Sequence, residues 1–146
     1  MNTQRRLTIG LIVSVLMCIP ILAPAQQSQR FGDYDIHYSA LPTGIMNEAV
    51  AEEYGILRSR TRGMVMITVL RDGKAVSARL NVLARDENDD LREIPARAVK
   101  QDDWVSYVGV FPVAEAETLV FEVEIRPHAG GGPFEFAFRQ SFHAGG

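Results

Sequence analysis

The stretch "TLVFEVEIRPHAGGGPFEFAFRQSF", residues 118–142, contains the most regular alternation in the chain. In its first part, apolar side chains alternate with Glu122, Glu124 and Arg126. A two-residue period is typical of a β-strand with one buried face, and the glycine-rich turn at 128–133 joins the two parts as a hairpin. We therefore predict an all-β fold with an aromatic core, to which this hairpin contributes the rings of Phe134, Phe136, Phe138 and Phe142.

Similar alternation continues on the N-terminal side. "DYDIHYSA" (33–40) and "WVSYVGVF" (104–111) each predict a strand, and "MVMITVL" (64–70) and "KAVSARLNVLA" (74–84) flank the turn dipeptide Asp72-Gly73. "LREIPARAV" (91–99) predicts a weaker strand, which Pro95 restricts to an edge or a bulge. About seven strands separated by turns indicate an immunoglobulin-like antiparallel β-sandwich, and a small open barrel is the alternative. In the absence of a cysteine pair, the core is expected to rest on seven Phe, four Tyr and Trp104.

One short helix interrupts the strands. In "MNEAVAEEYG" (46–55), Asn47 is suited to the N-cap, Glu48 to the first turn and Gly55 to the C-terminal stop. The helix lies between the first two predicted strands, and Gln26–Gln29 is expected to be a polar lead-in before the first of them.

Residues 1–25 resemble an export signal. Arg5 and Arg6 precede an apolar run, and Ala23-Pro24-Ala25 provides a small-residue cleavage site. We predict cleavage after Ala25, a periplasmic location, and a single β-sandwich domain over 26–146; an uncleaved anchor is the alternative. Cys18 is the only cysteine of the chain, so the processed protein would have no thiol chemistry. It would carry 13 basic and 18 acidic residues, a net charge of −5, which argues against nucleic-acid binding.

Few residues are arranged for chemistry. His37, His128 and His143 have no second histidine at metal-binding spacing, and no serine lies in a G-x-S-x-G sequence. The acidic stretch "RDENDD" (85–90) departs from a calcium loop at Leu91 and Arg97, so a solvated turn is expected there. The sequence therefore assigns no catalytic residue, cofactor or metal.

The segment "YGILRSRTRGMV" (54–65) has arginine at every second position: Arg58, Arg60 and Arg62. If residues 58–70 are extended, the three guanidinium groups lie on one side, about 6–7 Å apart. Acidic residues of the same protein can neutralise them, either Glu122 and Glu124 of a strand or Glu48, Glu52 and Glu53 of the helix. Alternatively, they are exposed and bind an acidic surface, either a partner protein or lipid headgroups.

The same residues carry a family resemblance. "FGDYDIHYSA", the helix "EAVAEEYGI" and "RSRTRG" before an apolar strand resemble a family of small exported bacterial proteins, domain of unknown function 4426. The resemblance covers nearly the whole processed chain. It implies a single envelope domain and supplies no catalytic residue.

Three functional hypotheses follow. The first is a non-catalytic periplasmic binding or accessory module, which acts on another envelope protein through a strand edge or through Arg58, Arg60 and Arg62. The second is a small enzyme with dispersed residues, for which His37 and Tyr38 are candidates, with Asp33 or Asp35 beside His37; it needs a deep pocket. The third is a weak calcium or ligand carrier that uses the loop at 86–90.

Overall fold

The computed structural model describes residues 26–143; the predicted export signal and Cys18 lie outside this range. The described part is a sequence of strands interrupted by one 3-10 turn, Thr43–Ile45, and one helix, α1, Glu48–Glu53. No helix in it is long and apolar enough to cross a membrane. The strands are β1 Gln27–Phe31, β2 Tyr34–Pro42, β3 Arg62–Arg71, β4 Lys74–Ala75, β5 Ala78–Arg85, β6 Leu91–Glu93, β7 Arg97–Gln101, β8 Trp104–Pro112, β9 Glu117–Pro127 and β10 Phe134–Phe142.

The strands form two antiparallel sheets. The first has the order β1-β2-β3-β8-β7, with β4 paired to β3, and the second has the order β10-β9-β5-β6. An immunoglobulin fold places strands A, B, E and D in one sheet and C, F and G in the other. Here β2, β3, β8 and β7 take the first set of positions, and β5, β9 and β10 take the second. The predicted immunoglobulin-like sandwich is therefore confirmed, with β1 and β6 as additional edge strands.

The Asp72-Gly73 turn forms as predicted, but its second arm is divided between the two sheets. Both residues have positive φ, 51° and 75°, as a two-residue hairpin turn of type I′ requires. Only β4 then pairs with β3, and the chain crosses to the second sheet before β5. The backbone N–H of Ala78 donates to the Tyr107 hydroxyl at 2.8 Å, which fixes the start of β5 against β8.

Two expectations about the strands were wrong. The stretch 91–99 is not one strand, because β6 pairs with β5 in the second sheet and β7 pairs with β8 in the first. The crossing between them lies at Pro95, which follows the buried Ile94. Gln26–Gln29 is not a lead-in, because Gln27–Phe31 forms β1 and pairs with β2. The side chains of β1 are mostly polar and exposed, so they show no apolar alternation. The sequence pattern therefore did not reveal this edge strand.

The core lies between the sheets and is largely aromatic. Phe121 of β9 is fully buried, with its ring centroid 4.9 Å from that of Phe138 and 5.5 Å from that of Phe111. Tyr38 of β2 joins this group from the other sheet, 4.6 Å from Phe138. Trp104 was expected in the core but is 42% exposed, because it lies on the outer face of β8.

A second apolar cluster covers the outer face of the first sheet. The segment between β2 and β3, residues 43–61, folds back and packs Met46, Ala51 and Ile56 on Met64 and Val108. The predicted helix ends are confirmed: the Asn47 side chain accepts from the Ala49 N–H at 2.9 Å, and Gly55 has a φ of 62°. We call this segment the α1 excursion.

Replacing a central ring should cost more stability than replacing a ring at the rim. Phe121→Ala leaves a cavity in a closed site and should lower the free energy of unfolding by about 3–5 kcal/mol. Phe136→Ala should cost clearly less, because Phe136 is only partly buried beside Phe31 and Tyr38. Urea unfolding of both variants checks this order. Equal losses would mean that the rim is packed as tightly as the centre.

Candidate functional site

The three arginines do not lie on one strand. β3 begins only at Arg62, and residues 60–61 form a turn. Ser59 is held to the α1 excursion, since its N–H donates to the hydroxyl of the buried Thr43 at 3.0 Å and its carbonyl accepts from that hydroxyl at 3.1 Å. The expectation of an extended strand from residue 58 is therefore wrong.

The three arginines also do not contact the strand carboxylates that were predicted as possible partners. Arg58 donates to the carbonyl of Gly44 at 3.1 Å, which ties the two ends of the α1 excursion together. Arg60 and Arg62 are exposed, and neither forms an ion pair with a residue of the range 26–143. The strand carboxylates Glu122 and Glu124, predicted as possible partners, lie in the other sheet and bind Arg85 and Arg126 at 2.7 Å.

His37 and Tyr38 point to opposite faces of β2. Tyr38 lies in the core against Phe136 and Phe138, whereas His37 is half-buried on the outer face, in register with Thr68 of β3. Asp35 shares the face of His37, but Arg30 of β1 binds its carboxylate through two hydrogen bonds of 2.8 and 3.0 Å. The catalytic group expected from His37, an aspartate and the tyrosine rings is therefore not assembled.

The acidic loop is a hydrogen-bonded turn. One carboxylate oxygen of Asp86 accepts from the backbone N–H groups of Asn88 and Asp90 at 2.8 and 3.0 Å. Arg85 lies 3.7 Å from the carboxylate of Asp89. Within residues 26–143, no three or more His, Cys, Asp and Glu side chains are grouped as a metal site. The arrangement agrees with the predicted turn and gives no support to calcium binding.

The sequence did not indicate an apolar depression at the edge of the first sheet, which we call the β2 groove. It has a volume of about 500 Å³ and lies between the end of β2, the α1 excursion and β10. Polar lining comes from Gln26, Gln27, Ser39 and Gln140. Its apolar lining consists of Ala40, Leu41, Met46, Val50, Tyr54, Met64, Met66 and Phe138.

The β2 groove lies along an open strand edge. β1 pairs with β2 from Tyr34 to Tyr38, with Gln27 opposite Tyr38, but β2 continues to Pro42. Over Ser39–Pro42, the edge that faces away from β3 has no strand neighbour in the described part of the chain. Backbone polar groups at such an edge can pair with an added strand.

Large apolar residues are exposed on the α1 excursion, and one of them, Val50, lines the groove. Ile45, Val50 and Leu57 of the α1 excursion are 61%, 41% and 75% exposed. The sequence offered a weak signal for them, because they are large apolar residues next to a short helix that is too small to bury them all. The position of Val50 at the groove, however, depends on how the excursion folds back.

Comparison with known proteins identifies the family. The model of a domain of unknown function, DUF4426, matches residues 28–144. The chain belongs to the DUF4426 family. The resemblance read from the sequence is thus confirmed, and membership by itself assigns no activity. No curated protein matches the chain in sequence.

Solved structures show the same fold. A DUF4426 family protein from Pseudomonas aeruginosa PAO1 is 27% identical, with a TM-score of 0.72 over 83% of this chain and 97% of its own. FetP of uropathogenic Escherichia coli strain F11, expressed in the periplasm, is 9% identical, with a TM-score of 0.59 over 85% of this chain and 97% of FetP. A copper-bound variant of FetP, also 9% identical, has a TM-score of 0.57 over 82% of this chain and 95% of its own. At 9% identity the likeness concerns the fold alone.

The Arg30–Asp35 pair generates a prediction about pH. The hydrogen bonds from Arg30 hold the pKa of the Asp35 carboxyl below its ordinary value. A lowered folded-state pKa contributes stability above the unfolded pKa, and that stability is lost as the pH falls through the folded value. Carboxyl-detected NMR titration should find this low pKa, and Arg30→Gln should raise it. An unchanged pKa in the variant would mean that the pair does not persist in solution.

Proposed function

We propose that this protein is a non-catalytic periplasmic binding module that takes an extended segment of another envelope protein at the open edge of β2. The observation that carries the proposal is the stretch Ser39–Pro42 beside the apolar β2 groove, since its edge away from β3 has no partner among residues 26–143. Its periplasmic location is supported by the export-signal pattern of residues 1–25.

The backbone supplies the first part of the recognition. A strand added in line with β1 would meet four residues of β2, a length of about 13 Å at the usual rise per residue. Strand addition of this kind gains affinity from main-chain hydrogen bonds, whatever the sequence of the guest. The edge strand β1 begins at Gln27, opposite Tyr38, so no strand among the described residues pairs with this edge of β2 beyond Tyr38.

The side chains of the groove supply the second part. Successive side chains of a strand point to opposite faces, so alternate side chains of the guest would meet the apolar lining. Met46, Met64 and Met66 form part of that lining, and methionine adapts its flexible side chain to guests of different shape. The amide groups of Gln26 and Gln140 can donate to and accept from the guest backbone at the rim. We therefore expect a guest with apolar residues at alternate positions.

The arginines are assigned a secondary role. Arg58 binds Gly44 and lines a separate depression of the α1 excursion with Ile56 and Leu57. Arg60 and Arg62 remain exposed and positively charged on the same connection into β3. Rim charges mainly increase the association rate with acidic partners. On this proposal Arg58, Arg60 and Arg62 favour an acidic partner, while the groove holds it.

The groove does not favour the enzyme hypothesis. Among the residues that line it, Tyr54 is the only one with an ionisable side chain, and none is Asp, Glu, His or Lys. General acid–base catalysis near neutral pH usually needs such a group within hydrogen-bonding reach of the substrate. His37 does not line the groove.

A photo-crosslinking residue at position 50 tests the proposal in living cells. Val50 lines the groove, whereas Ala49 is exposed on the same helix and does not line it, so position 49 is the matched control. We expect one discrete adduct from position 50, with mass spectrometry placing the crosslink in an extended segment of an envelope protein. Equal adducts from both positions would contradict the groove as the site.

Hydrogen exchange then tests the strand pairing itself. A synthetic peptide of the crosslinked segment should slow exchange of amides within Ser39–Leu41, since new backbone hydrogen bonds protect them. Val50→Glu should weaken binding at least tenfold by placing a carboxylate in the apolar groove, and Ala49→Glu should not. Binding without protection of these amides would show that the partner docks without adding a strand.

A further inference from the structure

We propose that Met46, Met64 and Met66 form a thioether site for a soft monovalent cation, Cu(I) or Ag(I), at the floor of the β2 groove. This site goes beyond strand binding and does not depend on it. It uses the three methionines that follow residue 25, all of which line this one groove.

The fold brings the three side chains together from two directions. Met64 and Met66 are two residues apart on β3, so both point to the outer face of the sheet with a spacing of about 6–7 Å. Met46 comes from the α1 excursion and packs in the same buried cluster as Met64, with Met66 against it. Long, unbranched side chains at this spacing can turn their sulfur atoms toward one point.

The donor set selects the cation. Thioethers are soft ligands that suit Cu(I), whereas Zn²⁺, Ca²⁺ and Mg²⁺ prefer imidazole, thiolate or charged oxygen ligands. The groove lining contains no carboxylate, imidazole or thiol. Its other polar donors are neutral oxygens and amides, which bind soft cations weakly. The same groove therefore discriminates against the harder divalent metals.

The three methionines are buried to different extents, and the least buried one gives access to the site. Met64 is 1% exposed and Met46 is 8% exposed, while Met66 is partly exposed. The site would therefore be screened from bulk water and reached from the side of Met66. Packing alone does not require sulfur at these positions, because leucine has a similar volume and substitutes for methionine in cores at low cost.

NMR of the protein labelled at the methionine methyl groups, and purified from the periplasm, tests the site. On addition of Ag(I), the three methyl signals should shift together and stop changing at one equivalent. Cu(I) with ascorbate should do the same, whereas Zn(II) and Ca(II) should leave the signals in place. Shifts of a single methyl group, or changes that continue well beyond one equivalent, would overturn the proposal.

Leucine variants separate binding from folding. Met64→Leu and Met66→Leu keep the core volume, so each should melt near the temperature of the parent protein while binding Ag(I) at least tenfold more weakly. Unchanged Ag(I) affinity in the double variant would also overturn the site. The two proposals fail separately, because Ag(I) binding is measured without the peptide, whereas protection of the Ser39–Leu41 amides is measured without the cation.

Discussion

The contact between Tyr38 and Phe138, with ring centroids 4.6 Å apart, holds the two sheets together on the side where β2 and β10 meet. Phe138 is opposite Phe121 in the β9–β10 pair, so the same ring connects this side to the centre of the core. Aromatic rings of this size contribute large buried areas and prefer offset or tilted contacts of this kind. A chain with no cysteine after residue 25 depends on such packing instead of a cross-sheet disulfide.

This contact also determines the position of the groove. Because Tyr38 points into the core, Ser39 and Leu41 both point to the outer face, and β1 does not pair with this part of β2. Phe138 closes the groove from the inside, and Val50 and Tyr54 of the α1 excursion border it from the outside. The groove lies beside the last four residues of β2, which β1 does not reach, and its lining includes residues that also stabilise the sandwich.

The alternation of the sequence was sufficient to predict the faces of the strands. Ile36 of β2 and Leu119, Phe121 and Ile125 of β9 are buried as their spacing required, because each of these strands has one face on the core. Alternation carries no information about which sheet receives a strand, so the crossings at Ser77 and Pro95 were not predicted. The alternating arginines show that a period of two does not always mean a strand. Arg58 and Arg60 lie before β3, in a segment held by hydrogen bonds between Thr43 and Ser59, which are 16 positions apart.

The groove escaped prediction for the same reason. It is lined from the start of β1, the end of β2, the α1 excursion, β3 and β10, and no two of these stretches form a local motif. His37 and the loop at 86–90 attracted interest because their residue types suggest chemistry, yet one lies on an open sheet face and the other uses Asp86 for its own turn. Apolar residues, including methionine, do not suggest a functional site in a sequence. A surface that binds an extended segment is nevertheless built mainly from such residues.

The proposed cation site and the proposed strand site share the floor of one groove, so binding at one is expected to affect binding at the other. A cation bound by Met64 and Met66 would restrict side chains whose flexibility lets the groove adapt to a guest strand. If the cation changes the affinity for the strand by some factor, the strand must change the affinity for the cation by the same factor. Whether the cation raises or lowers the affinity for the strand depends on whether the methionine rotamers of the cation-bound state fit the guest. On these two proposals, the open edge of β2 supplies main-chain hydrogen bonds to the guest strand, and the thioethers bind the cation.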